Sequence, residues 1–260
     1  MELRTARVTR YILPLREGGS LPALAEADDG FNYVIKFRGA GHGPKALVSE
    51  LIGGETARTL GLRVPEQVFL ELDEAFGRTE ADEEIQDLLR ASRGLNLGLH
   101  FLSGALAFDP ATLPVDPLLA SQVVWLDALL TNIDRTVRNP NLLNWHNELW
   151  LIDHGASLYF HHTWVTRSKH VRSPFSEVKH HVLLPQASEL ERADAKAKAL
   201  LTPEKIRQIV DLLPDAWLQW GGAEESPDAL RAVYREFLTE RVAYSDIFVN
   251  EARHARKLLV

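Results

Sequence analysis

Between Leu129 and Phe160 the chain reads LLTNIDRTVRNPNLLNWHNELWLIDHGASLYF, a stretch holding Asp134, Asp153, several asparagines and a tight reverse turn. The runs NLLNW and LWLID flank His146-Asn147-Glu148, which predicts a short apolar hairpin over residues 141 to 153. The two ends of a hairpin lie side by side, so Asp153 comes close to Asn139 and Asp134. Two carboxylates a few ångströms apart repel by roughly 4 kcal/mol at a surface-like dielectric, so the arrangement requires protonation or a compensating cation. An aspartate with an asparagine oxygen, and room for water and phosphate oxygens, suits Mg2+, which takes only one or two carboxylates from a protein. Ordinary turn and cap roles are the alternative for either aspartate taken alone.

Something upstream must face this cluster. In NYVIKF strict alternation sends Tyr33, Ile35 and Phe37 to one side of a strand and Val34, Lys36 and Arg38 to the other, so Lys36 looks into water or a cleft. A helix is predicted from about Pro44 to Leu60, closed by Gly61, with Leu47, Leu51 and Ala57 at packing spacing. Gly53 and Gly54 weaken this helix where something approaches closely. Glu50 and Glu55 both lie on it, but five residues place them about 140° apart, so only one can face Lys36, and Glu50 is preferred.

With 260 residues, 45% apolar and 25% charged, the chain can bury a substantial core. Its 36 acidic and 29 basic residues give a net charge of -7, which argues against a general nucleic-acid binder or a reader of anionic membranes. No cysteine is present, which removes disulfides, thiolate metal sites and a cysteine nucleophile. The N-terminus lacks the uninterrupted apolar core of a signal peptide, no segment is apolar enough to span a bilayer, and a cytoplasmic location is expected. The acidic stretch ELDEAFGRTEADEEIQD, residues 71 to 87, reads as a connection that turns helical near EEIQDLLRAS. The expected architecture is α+β, with a small β-rich lobe over residues 1–90 and a larger, mainly helical lobe over residues 91–260. The second begins with a long apolar helix, LLASQVVWLDALLTN, and ends in helices over residues 188–201, 202–213 and 226–259.

A strand lysine, a helix glutamate, Asp-x-x-x-x-Asn, a hairpin and Asp-x-Gly, in that order, resemble the protein kinase-like superfamily. Within it the likeness is greatest to the HipA-like kinases, with a secondary similarity to the catalytic loop of phosphoinositide kinases. The resemblance runs from about Gly18 to Phe160 and extends more loosely over the C-terminal helices. It implies a bilobal protein kinase-like fold and transfer of the γ-phosphoryl group of ATP, with Mg2+, to a hydroxyl acceptor such as a protein Ser or Thr. YVIK resembles the kinase VAIK strand, making Lys36 the ligand of the α- and β-phosphates and Val34 an adenine-facing wall. Glu50 is similar to the glutamate that positions this lysine. NIDRTVRN stands where kinases carry HRDLxxxN, so Asp134 would orient the acceptor hydroxyl and Asn139 would bind metal, while IDHG resembles DFG and gives Asp153 the main metal contact. LREGGSLPAL, with Gly18, Gly19 and Ser20, resembles the loop that covers the phosphates.

The chain departs from that pattern in four places. The glycine loop lacks G-x-G-x-x-G, His154 replaces the phenylalanine of DFG, Asn132 replaces the loop histidine, and no A-P-E follows the hairpin. A nucleotide-binding pseudokinase and a toxin-like kinase with an antitoxin partner are the rival readings. Arg135 and Arg138 can reach phosphates or an acidic partner, or be solvated or structural ion pairs, and the same alternatives apply to Asn141. His161, His162, His170, His180 and His181 lack metal-ligand spacing and read as surface residues. TRSKHVRSPFSEVKHH is the one basic run after IDHG and reads either as a dock for an acidic substrate or as a mobile loop. Trp125, Trp164, Trp217 and Trp220 read as core or interlobe packing.

Overall fold

The computed structural model describes residues 2–15, 21–41, 43–73, 82–110, 112–164, 168–220 and 225–259. Five strands, β1 (Thr5–Pro14), β2 (Ala23–Ala27), β3 (Asn32–Lys36), β4 (Gln67–Leu72) and β5 (Gly94–His100), close a barrel in the order β1-β2-β3-β5-β4. Its ladders are antiparallel except at the β1/β4 seam, where Ala6 meets Leu70 in parallel register. The alternation expected of β3 is present. Tyr33, Ile35 and Phe37 join Ala23, Ala25, Val68 and Leu70 inside the barrel, while Val34 and Lys36 stand half-buried on the other face.

β5 pairs with β3 on one side and β4 on the other, so the barrel continues past residue 90, the boundary expected from the acidic connection. Sequence reasoning passed over both β2 and β5. ALAEA carries no β-branched residue, and the period-two leucines of GLNLGLH alternate with Asn96 and Gly98, residue types poor in strands, so neighbours on both sides make these strands. Gly98 itself is dictated by space, since a Cβ there would sit 2.6 Å from a methyl of Leu70.

Helix α1 (Pro44–Thr59) has proline in its first turn and is buried on every side from Leu47 to Ala57. Gly61, at φ 79°, ends it as expected. Helix α2 (Glu83–Ala91) starts at Asp82, whose carboxylate accepts from the backbone N–H groups of Glu84 and Ile85. Strands β6 (Leu106–Ala107), β7 (Leu142–Trp145) and β8 (Glu148–Leu151) form a separate small sheet. The β7-β8 hairpin turns on two left-handed residues, His146 and Asn147, one fewer than expected, and that backbone matches strand twist.

Helix α3 (Pro117–Leu130) is capped by Asp116 and buried from Ala120 to Leu130. After it come α4 (Ser168–Val171), α5 (Leu190–Leu200), α6 (Pro203–Val210), α7 (Pro227–Ala243) and α8 (Asp246–Lys257). The helical run expected over 226–259 is therefore two helices, broken at Tyr244 and Ser245. Arg241 of α7 is buried and donates only to carbonyls, those of Ala128, Leu129, His170, Val171 and Ser173, which satisfies the last turn of α3 and holds the segment after α4. Burial pulls its pKa down to about 10. Trp217 bridges the barrel and the helices, stacking edge-on against Phe69 and donating to Leu95 O at 2.9 Å. Among the described residues, no helix is long and apolar enough to cross a membrane.

Candidate active site

The half-buried face of β3 carries Lys36 to a point between two carboxylates. Its Nζ lies 2.7 Å from Glu50 Oε2 and 2.6 Å from Asp153 Oδ1. The Glu50 side chain is 1% exposed and that of Asp153 is 42% exposed, so Glu50 is the inner partner and Asp153 the one at the opening. Of the two glutamates on α1, Glu50 faces Lys36, while Glu55 turns away to pair with Arg58. Burial opposes charge on Lys36, but the two carboxylates outweigh it and hold the ammonium above its ordinary pKa. Lys36 in turn pulls Asp153 below the usual carboxylate range, whereas burial pushes Glu50 above it.

Asp153 follows β8 with φ 55°, a conformation few residues other than glycine adopt. Thr131, Asn141, Leu158 and Phe175 share this left-handed backbone, so conformational strain gathers along the segments that carry the polar cluster. The turn aims Oδ1 of Asp153 at Lys36 and at the N–H of Gly155 (3.4 Å), and His154 N–H donates to Glu50 Oε2 at 2.8 Å.

Asp134 lies in the loop that α3 delivers. Its Oδ2 accepts from Asn139 Nδ2 at 2.8 Å and Asn141 Nδ2 at 3.2 Å. Asn141 also joins the two aspartates, because its carbonyl accepts from the N–H of Ile152, the residue before Asp153, at 3.1 Å. Asp153 thus has a compensating cation in Lys36, while side-chain amides hold Asp134.

Arg135 fixes this geometry. It is buried and donates to Asp127 Oδ2 at 2.6 Å, to the carbonyl of Asn141, to Ile152 O at 3.2 Å, and meets His154 Nδ1 at 3.4 Å. One guanidinium therefore spans the Asp134 loop, the start of β7 and both neighbours of Asp153. Asp127, buried in α3, also receives Asn132 Nδ2 at 2.9 Å and His181 Nε2 at 2.9 Å. Burial alone would raise its pKa, but Arg135 and His181 more than compensate and keep it well below the usual range. Asn132, where kinases have a loop histidine, passes the order on by accepting from Asp134 N–H at 3.1 Å.

Sequence reasoning missed Asp127 and His181. The available signal was a single carboxylate inside the apolar run VVWLDALL, which must have a buried partner. His181, expected at the surface, is buried, with Nδ1 accepting from Leu183 N–H and Nε2 donating to Asp127. His161 is also buried, against Tyr234 at 3.0 Å. His154 lies under Gly53, and burial with the nearby Arg135 lowers its pKa to about 3, so the ring is neutral.

Asp153 Oδ2 and Asn139 Oδ1 have no hydrogen-bond partner among the described residues. As hard oxygens they fit a magnesium-like ion. No cluster of three or more His, Asp or Glu suited to a metal occurs among those residues. Gly18, Gly19 and Ser20 lie outside the described residues.

No curated protein matches the chain. Among solved structures, the Helicobacter pylori proinflammatory kinase CtkA superposes with a TM-score of 0.55 at 13% identity, covering 100% of this chain and 99% of the other. The Golgi casein kinase, solved with Mn/ADP bound, gives a TM-score of 0.49 at 11% identity, covering 99% of this chain and 75% of that one. The first likeness shows a kinase fold of mixed α and β content. The family model described as HipA-like kinase matches residues 8–243, and the chain belongs to the HipA-like kinase family.

Proposed function

We propose that this kinase transfers the γ-phosphoryl group of ATP, in the presence of Mg2+, to a hydroxyl acceptor on a protein, a Ser or Thr. The observation that carries this reading is the Lys36 ammonium held between Glu50 and Asp153 at 2.7 and 2.6 Å. Burying an amine beside the fully covered Glu50 is unfavourable unless the charges serve a partner, and a fixed cation next to an aspartate at the opening suits a triphosphate.

In this reading the barrel, through β5, and the helical remainder act as two lobes with nucleotide between them. Lys36 holds the α- and β-phosphates, Glu50 orients it, and Val34 lines the adenine side. Gly18, Gly19 and Ser20 are proposed to cover the phosphates. Asn139 and Asp153 hold Mg2+, which neutralises charge developing on the phosphate oxygens. Asp134 acts on the acceptor: amides occupy its Oδ2, which leaves Oδ1 to accept from the incoming hydroxyl. As the acceptor oxygen forms its bond to phosphorus, the bond from phosphorus to the β,γ-bridging oxygen breaks. ADP departs with that electron pair, and the hydroxyl proton passes to Asp134 or to water.

The test is incubation of the full chain with labelled ATP and Mg2+, followed by mass spectrometry of the chain and of lysate proteins. Phosphate on Ser or Thr, reduced about 10²- to 10⁴-fold with Asp134→Ala, is expected. Stabilisation by Mg-ATP with no phosphate on any acceptor would instead identify a nucleotide-binding pseudokinase.

A further inference from the structure

The loop that carries Asp134 presents apolar side chains to solvent. Ile133 is 46% exposed and Val137 is 74% exposed, in a chain whose other apolar loop residues are mostly covered. Arg138, next to Val137, is exposed and has no ion-pair or hydrogen-bond partner among the described residues.

The neighbouring segment brings a second cation. Thr136 forms an antiparallel bridge with His181, and Val182 N–H donates to Arg135 O at 3.1 Å. Val137 and Arg138 follow Thr136 directly, and Lys179 and His180 end the 3-10 turn Ser176–His180 that leads into His181, so the bridge joins these two short segments. Lys179 is exposed and unpaired among the described residues, and His180 meets only Glu177, the local carboxylate, at 3.9 Å. The bridge itself is anchored from below, since His181 donates to buried Asp127. A chain of net charge -7 thus displays two free cations and two bare aliphatic side chains beside the residue proposed to orient the acceptor hydroxyl.

We propose that this face docks an extended protein segment bearing the acceptor Ser or Thr, with acidic side chains set against Arg138 and Lys179 and an apolar one against Ile133 and Val137. The inference rests on the phosphotransferase reading and names its substrate class. A small polyhydroxy acceptor would have no use for apolar contacts on both sides of Asp134, and the excess negative charge of the chain repels acidic segments elsewhere.

A degenerate Ser/Thr peptide library, incubated with the full chain, ATP and Mg2+, tests this. Phosphorylated peptides should be enriched in Asp or Glu within a few residues of the acceptor, and the enrichment should fade as salt is raised. In the double variant Arg138→Glu/Lys179→Glu, the KM for the best acidic peptide should rise about tenfold, with the KM for ATP unchanged and the preference shifted toward Lys and Arg. Ile133→Ser/Val137→Ser should raise the peptide KM without altering the charge preference. Phosphorylated peptides without acidic enrichment, an unchanged peptide KM in the charge-reversed chain, or phosphate found only on RNA or small hydroxyl compounds would overturn the docking face. A wild-type chain that phosphorylates no peptide, no lysate protein and not itself would remove the phosphotransferase reading beneath it.

Discussion

Asp134 and Asp153 have different surroundings, and the difference separates their expected phenotypes. Asp153 is tied to Lys36 and offers its second oxygen to a cation, so Asp153→Ala should lose both phosphate transfer and the thermal stabilisation given by Mg-ATP. Asp134 is held by amides and touches neither Lys36 nor Glu50, so Asp134→Ala should keep that stabilisation while transfer falls about 10²- to 10⁴-fold. Equal loss of nucleotide binding in both variants would contradict the division. Arg135 belongs to the same scale. Removing it as Arg135→Met strands Asp127 without its guanidinium and should destabilise the chain by about 3 to 5 kcal/mol in urea unfolding. Arg135→Lys should recover part of that, since an ammonium keeps the charge but cannot span Asn141 and Ile152. Lys36, Glu50, Asp134, Asn139 and Asp153 could be singled out because residue types in a fixed order resemble a known motif set, even though Lys36 and Asp153 lie 117 residues apart. Asp127 and His181 belong to no such motif, and they meet only once α3 is packed.

At the level of elements, α1 is clamped to the chain that follows Asp153 along a single face. Lys45 Nζ donates to His161 O at 2.6 Å, Ser49 Oγ to Ser157 O at 2.7 Å, Glu50 accepts from His154 N–H, and Gly53 lies against the His154 side chain. Positions 45, 49 and 53 recur at one-turn spacing. The position of Glu50 is thus set jointly by the helix and by the segment it touches. Gly53→Ala makes the consequence measurable. In an exposed helix this change stabilises by up to about 1 kcal/mol, but here the added Cβ would sit 2.5 Å from His154 Cβ. We expect a loss of about 1 to 3 kcal/mol and reduced transfer, because His154 adjoins Asp153. A more stable and fully active Gly53→Ala chain would show that α1 and the His154 segment are not coupled. The sequence announced that two glycines invite close approach; it could not say that the visitors are His154 and, at Gly54, Gln67.

For the whole molecule, the buried polar network sets how stability depends on pH. His154 has a folded pKa of about 3, below the ordinary histidine value, so the unfolded chain takes up a proton that the folded chain refuses. Stability should therefore fall as pH drops from about 6.5 toward 3, by at most about 1.4 kcal/mol per pH unit from this group. His170, also lowered by burial, acts in the same direction. Asp127 and Asp153 are depressed carboxylates, so their contribution is present above their unfolded values and is lost in stronger acid, as pH falls through the folded ones. Glu50, raised by burial, opposes this and flattens the curve. Urea midpoints at pH 7.5 and 5.0 should differ more for the wild-type chain than for His154→Leu, and parallel curves would show that His154 does not carry the dependence.

The sequence by itself determined the β3 alternation, the buried helices α1 and α3, the hairpin and the polar residues at its ends, because each follows from local periodicity or from a turn a few residues long. Only the tertiary structure decided that β2 and β5 are strands, that the barrel extends to His100, and that Asp127, Arg135 and His181 form one buried unit. Those features depend on partners distant in the chain, and buried charge leaves no periodic trace. Its position is fixed when the charged and hydrogen-bonding groups that must compensate it arrive from several elements at once.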